Sequence, residues 1–152
     1  HRYPTIESRI CDVSPRIEDS LTIAAIIQCL TRMLWRLSKK NQRWRIYDQF
    51  LIGENRWRAQ RFGVKDGMID FGARKIVPFE ELGEELIELI EEDAGVLGCT
   101  EEILGLRRIL KNGTSSERQR AVYAKAQSDG AEHTDALRAV VRHLVDEFTA
   151  DL

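Results

Sequence analysis

Apolar residues recur at Ile23, Ile26, Ile27, Leu30, Met33, Leu34 and Leu37, the 3.6-residue period of a helix with one buried face. Ser14 and Pro15 supply an N-cap and a first-turn proline. Glu18 and Asp19 lie near the start and Arg36, Lys39 and Lys40 near the end, as the helix dipole favours. A second helix is predicted from Arg45 to Phe62, closed by Gly63 as a left-handed cap. Its stripe starts apolar at Trp44, Tyr47, Phe50 and Leu51 and turns charged at Glu54, Arg58 and Arg61, so this face leaves the core for a cleft or for solvent. GMIDFGARKIVP, residues 67–78, reads as a small hairpin turning at Gly72-Ala73-Arg74. Everything afterwards is helical in pattern. Phe79, Leu82, Leu86, Leu89 and Ile90 define one helix, and Ile103, Leu106, Ile109 and Leu110 another, opened by Thr100 and closed by Asn112-Gly113. Thr114-Ser115-Ser116-Glu117 fits a capping box, and Leu137, Val140, Val141, Leu144, Val145 and Phe148 share one side of the last helix.

Ahead of the first helix, TIESRICDV at residues 5–13 alternates with period two, which predicts a strand over residues 3–13. It sets Ile6, Ser8 and Ile10 on one face and Glu7, Arg9 and Cys11 on the other. The expected fold class is therefore α+β and predominantly helical, with one main strand, a small hairpin and five to six helices. That is too little sheet to stand alone. Either the strand lies at an edge, where its free side invites a second copy or a partner polypeptide, or its neighbours belong to sequence outside this chain. The chain begins at His1 and almost inside that strand, so it is expected to be the later part of a longer polypeptide.

Length and composition narrow the classes. The chain has 152 residues, 43% hydrophobic and 32% charged, enough for one globular core and against wholesale disorder. A net charge of −2 gives no general argument for nucleic acid or an anionic membrane. Charge is nevertheless segregated. Arg32 to Arg61 holds nine Lys or Arg against Asp48 and Glu54, whereas Glu80 to Glu102 holds ten acids and no base. The first region is suited to anions, and the second reads as a solvated helical face. Cys11, Cys29 and Cys99 are odd in number and form no C-x-x-C pair, which fits a reducing, cytoplasmic setting. With no apolar run of 18 residues and no signal-peptide pattern, no membrane span is expected.

Two constellations carry candidate chemistry. Glu7 and Arg9 on one strand face are either an ion pair on a solvated surface or a reaction face, where a carboxylate holds a hard cation and a guanidinium neutralises phosphate oxygens. GENRWRAQRFG, residues 53–63, places Asn55 three before Arg58, Glu54 four before Arg58 and Trp57 four before Arg61. This is a shared helical surface of an amide and arginines, or else a surface pair worth about 0.3–0.5 kcal/mol beside a core Trp57. His133 and His143 lack partners at metal-ligand spacing and read as surface residues. No P-loop, G-x-G-x-x-G or G-x-S-x-G pattern is present.

Taken together, TIESRICDVSPRIEDSLTIAAIIQCL, ENRWRAQRFG and GMIDFG closely resemble the C-terminal part of the bacterial carboxylate-amine ligase family, the type 2 glutamate-cysteine ligases, and the resemblance covers essentially the whole chain. It implies an ATP-dependent ligase that activates the side-chain carboxylate of glutamate as an acyl phosphate for attack by an amine, typically that of cysteine. It also implies a fold like that of glutamine synthetase, an antiparallel sheet forming a funnel backed by helices, with Mg²⁺ on sheet carboxylates. Residues 1–152 would be a single C-terminal segment of that larger catalytic domain. By the same resemblance Glu7 is a Mg²⁺ ligand, Arg9 is catalytic and faces the transferred phosphoryl group, and Asp12 matches an acidic position after the strand. Asn55, Arg58 and Arg61 match a block expected to contact substrate or phosphate. Most of the family's sheet, metal carboxylates and nucleotide-binding elements would lie upstream of His1, so the isolated chain is expected to be inactive.

Two other classes stand beside the ligase. One is a non-enzymatic helical interaction module that retains the scaffold. The other is RNA binding through residues 32–61, where Trp35, Trp44 and Trp57 interleave with basic residues; the aromatics fall on apolar stripes and the chain is acidic overall, which argues against it.

Overall fold

The periodic stretch after Pro15 forms the longest helix of the computed structural model, which describes residues 5–150. This helix, α1, spans Ile17–Lys39 and is followed by α2, Gln49–Phe62. The hairpin strands β1, Met68–Asp70, and β2, Lys75–Val77, lead into α3, Phe79–Leu97, α4, Thr100–Asn112, α5, Ser115–Ser128, and α6, His133–Thr149. The described chain is thus mostly helical with one two-stranded antiparallel sheet, an α+β composition.

The core lies where α1, α3 and α4 pack on one another, through Ala25, Cys29 and Met33, Ile87, Ile90 and Ala94, and Ile103. The deepest line of α1 is Asp19, Thr22, Ala25, Cys29 and Met33, so the large aliphatics Ile26 and Leu30 flank the contact while Leu34 is exposed. Small residues occupy the centre because the helices approach closely. A Cβ placed on Gly105 of α4 would lie 2.1 Å from Thr22 Oγ1, and one on Gly83 of α3 would lie 2.5 Å from Leu110 Cδ1.

Charge is drawn into this core as well. Asp93 of α3 has no exposed surface. It accepts hydrogen bonds from Arg32 and, at 2.9 Å, from Arg36 Nη2, both on α1, while Arg36 also lies 3.2 Å from Glu92. The acidic run is therefore not solvated throughout: its Asp93 faces the basic run, and the two opposite biases partly neutralise each other across α1 and α3. Burial opposes the charge on Asp93, but the hydrogen bonds from Arg36 and Arg32 outweigh it and hold the carboxyl below its ordinary range.

A second polar junction joins α5 and α6, which pack on each other, to the rest. Arg118 of α5 donates to Glu147 Oε1 of α6 at 2.5 Å and to the Gly113 carbonyl at 2.6 Å, and it lies 3.7 Å from Asp19 of α1. Arg108 of α4 reaches the same Asp19 at 2.8 Å and also pairs with Glu18. His143 is half-buried, with Nε2 3.7 Å from Glu147, so it belongs to this junction and is not the surface residue expected. On α6 the row Leu137, Val141, Val145 and Phe148 is exposed, while Ala136 and Glu147 are buried.

The sheet expectation requires a correction. Residues 5–13 form no strand and are exposed throughout; residues 3 and 4, where the strand was to begin, lie outside the described residues. A strand is defined by a neighbour's backbone, and no described segment pairs with this one. Boundaries shift too. The first helix starts at Ile17 after Arg16, with Ser14 Oγ donating to the Arg16 carbonyl instead of capping an N–H. The second starts at Gln49, not Arg45, because Asp48 caps it by accepting from Phe50 N at 2.7 Å. The capping box at Thr114 and Glu117 is present as predicted.

Gly105→Ala is expected to destabilise the protein by about 1–3 kcal/mol through overpacking against the β-branched Thr22, read from urea denaturation. Adding Thr22→Ala should recover part of the loss. Asp93→Asn should cost about 3 kcal/mol near neutral pH, since it removes one side of a buried ion pair. With a depressed native pKa, the contribution of Asp93 is present above its ordinary value of 3.8 and fades as pH falls through the lower native value. The gap between wild type and Asp93→Asn should therefore narrow below about pH 3.8; a gap that is constant down to pH 2 would contradict the assignment.

Candidate functional site

Glu7 and Arg9 sit in the extended tract before α1. Arg9 Nη2 donates to Glu7 Oε2 at 2.9 Å, and the two side chains are 69% and 82% exposed. The tract thus juxtaposes carboxylate and guanidinium, and leaves most of their donors and acceptors facing outward. A surface pair of this kind adds little stability, so packing gives no reason for its presence. Asp12 turns back on its own backbone, accepting from Val13 N at 2.8 Å.

Downstream of this pair the tract lines an open cavity of about 790 Å³. Asp12 and Val13 form one side, the end of α2 with Arg56, Arg61 and Gly63 a second, and the start of α5 with Ser115, Ser116 and Arg120 a third. Arg61 and Asp12, two positions singled out from sequence, therefore share one cavity. Arg120 donates to Ser116 Oγ at 2.8 Å, and the first turn of α5 meets the cavity with its Thr114–Glu117 capping box, Glu117 being part of the lining. Ser115, Ser116 and Arg120 were missed from sequence. The Thr114 capping box marked the helix start, but nothing local tied that start to α2 some fifty positions earlier.

Asn55 and Arg58 are placed differently. Asn55 Nδ2 donates to the Ile69 carbonyl at 2.9 Å, and Oδ1 accepts from Ile69 N at 2.8 Å. Its amide thus satisfies both backbone groups of a β1 residue, as a neighbouring strand would. Arg58 Nη2 donates to the Asp66 carbonyl at 3.0 Å in place of an ion pair with Glu54. Asn55 fastens the hairpin to α2 and Arg58 fastens the turn that leads into it, and neither lines the cavity. The hairpin closes on Asp70, whose Oδ1 accepts from Gly72 N at 2.7 Å and Ala73 N at 2.8 Å. Arg74 follows in the left-handed region at φ 55°.

Among the described residues no three or more His, Cys, Asp or Glu side chains converge as a metal site. Glu7 is one oxygen donor already engaged by Arg9. By themselves these residues do not form a Mg²⁺ cage, which calls for octahedral oxygen coordination. No described helix is long and apolar enough to cross a membrane.

Comparison with known proteins assigns the class. The model of glutamate-cysteine ligase family 2 matches residues 1–143, and the chain belongs to that family. Relatives named "Putative glutamate–cysteine ligase 2" include proteins of Jannaschia sp., 58% identical over 150 residues, and Paracoccus denitrificans, 50% identical over 151, each match covering 99% of this chain. A third, from Sorangium cellulosum, is 39% identical over 150 residues and is likewise covered to 38% of its length. The chain spans about two fifths of the length of the curated relatives it matches, 39% and 40% for the first two. No solved structure matches.

Asn55→Ala should release the hairpin from α2 and speed tryptic cleavage after Arg74 several-fold, because two hydrogen bonds to partly buried groups are lost. Asn55→Asp, which keeps the acceptor and loses the donor, should fall between. Equal cleavage rates in all three proteins would rule out this fastening role.

Proposed function

We propose that this chain is the C-terminal catalytic segment of an ATP-dependent carboxylate-amine ligase of the glutamate-cysteine type, acting through a glutamyl phosphate. The observation that carries the reading is the exposed Glu7–Arg9 pair at 2.9 Å in a chain of this family. A glutamate side-chain oxygen attacks the γ-phosphorus of ATP and ADP leaves. The amine of a second substrate, such as cysteine, then attacks the acyl carbon of the resulting mixed anhydride and expels phosphate.

Charge builds on the phosphoryl oxygens in the first step, and stabilising it is the main catalytic task. Arg9 offers a planar, permanently charged set of donors for those oxygens, and Glu7 orients it through their hydrogen bond. Bound Mg²⁺ would supply further neutralisation, with Glu7 as one oxygen ligand and the others from the rest of the protein. Arg61, across the cavity from Asp12, is the position from which this segment would contact substrate carboxylate or phosphate. Asn55 and Arg58 would act on that contact indirectly, by holding the hairpin and the turn that leads into it against α2.

The remainder of the protein is the partner this reading requires. Residues 5–13 would join an antiparallel sheet of the glutamine-synthetase type supplied by that remainder. Such a sheet would also cover Ile6, Ile10 and Val13, each more than 70% exposed here. ATP and glutamate are abundant in the cytoplasm, where the reading places the enzyme, and self-association is compatible with it.

The test is ADP release from Mg-ATP and glutamate, with and without cysteine, by the full-length protein. Glu7→Gln should lower turnover about 100-fold or more, the scale for losing a key electrostatic group, with its melting temperature unchanged. Residues 1–152 alone should show none. Full activity in Glu7→Gln, or turnover by the isolated segment, would overturn the assignment. A parent protein inactive with every amine would point to a binding function.

A further inference from the structure

Cys29 and Cys99 are 70 positions apart in sequence, yet their sulfurs meet at 3.5 Å. The two differ in access. Cys29 lies mid-way along α1 with no exposed surface, whereas Cys99 is half-buried at the corner immediately before α4. Its neighbour Gly98 is left-handed at φ 69°, with nothing within 4 Å of where a Cβ would stand. Closing 3.5 Å to the ~2.05 Å of an S–S bond takes about 1.5 Å of movement, within reach of a side-chain rotation and a small displacement of the corner.

We propose that Cys29 and Cys99 form a reversible disulfide modification site, with Cys99 as the sulfur that a peroxide oxidises first and Cys29 as the resolving thiol. The Cys99 sulfur attacks one peroxide oxygen, the O–O bond breaks, and hydroxide leaves with the thiol proton as water. Cys99 is now a sulfenic acid. The Cys29 sulfur attacks it, the S–O bond breaks as the S–S bond forms, and the departing hydroxide takes the Cys29 proton as a second water. Two thiols and one peroxide thus give one disulfide and two waters, and a dithiol reductant reverses the change by exchange.

Access dictates the order. Burial, reinforced by the hydrogen bond with Cys99 and by nearby Asp93, pushes the Cys29 thiol up to about 12. With no exposed surface it is out of reach of reagents in solution, and the electrophile within its reach is an oxidised Cys99, 3.5 Å away. The resulting bond would tie the middle of α1 to the start of α4, closing a long loop. Such a closure restricts the unfolded chain.

The experiment treats the full-length protein with hydrogen peroxide, blocks free thiols by alkylation and maps peptides by mass spectrometry. A Cys29–Cys99 cross-linked peptide, two hydrogens lighter than the reduced pair and lost with dithiothreitol, is expected, together with a melting temperature raised by several degrees. In Cys29→Ala, Cys99 should be trapped as a sulfenic acid when dimedone is present, and should proceed to the sulfinic acid when dimedone is left out. In Cys99→Ser, Cys29 should remain unmodified. Absence of the cross-link under conditions that oxidise the exposed Cys11 would overturn the proposal, and dimedone labelling of Cys29 in Cys99→Ser would overturn the order of attack. The wild-type peptide map decides the first point even if a core variant fails to fold.

Discussion

A single carboxylate governs how the two longest helices of this chain meet. Asp93 is buried with no exposed surface and faces Arg32 and Arg36 one turn apart on α1. A lone charge at that depth would be prohibitively unfavourable, so α1 cannot slide along α3 without stranding it. Flat contacts among Ala25, Cys29, Ile90 and Ala94 specify register weakly by comparison, since small apolar surfaces pack acceptably in several positions. α4 adds a second constraint of the opposite kind, where Gly105 lets its backbone close on Thr22. Charge fixes the position along the axis, and absence of a side chain fixes the distance.

This rigid unit supports a tract that has no structure of its own. Residues 5–13 lead directly into α1, so the placement of Glu7 and Arg9 relative to the helices depends on the same α1–α3 register. The tract, the end of α2 and the start of α5 converge on one cavity, whose lining includes Arg118 and Asp19, the pair that joins α5 to α1. In physical terms the helices carry the folding stability, and the Glu7–Arg9 pair sits on the segment with the least packing. That division is common where a binding or catalytic element must adapt to something outside the scaffold.

The helices were legible in the sequence because periodicity, capping residues and glycine stops are local signals. Thr114 and Glu117, or Asn112 and Gly113, need no tertiary partner to act. The strand at residues 3–13 was read from alternation alone, and alternation describes which side chains share a face, not whether a neighbour exists to complete the ladder. Asp93 was hidden for a related reason: within a run of ten acids nothing local separates the one that turns inward from those that stay in water. The cavity was half legible. Arg61 and Asp12 were visible through the family's motif blocks, whereas Ser115, Ser116 and Arg120 reach it only through the docking of α5. Asn55 was expected to contact substrate or phosphate, and its two bonds to Ile69 give it a structural employment that spacing alone could not reveal.

Under the proposed reading the helical unit is self-sufficient, while the Glu7–Arg9 tract acquires its backbone partners from sequence beyond these 152 residues. Hydrogen exchange, measured on residues 1–152 and on the full-length protein under identical conditions, addresses it directly. Strong protection of the α1 core around Ala25–Met33 is expected in both. Amides of residues 5–13 are expected to exchange freely in the segment but to become protected in the full-length protein. Free exchange of residues 5–13 in both proteins would contradict the reading, as would loss of the α1 protection when the segment stands alone.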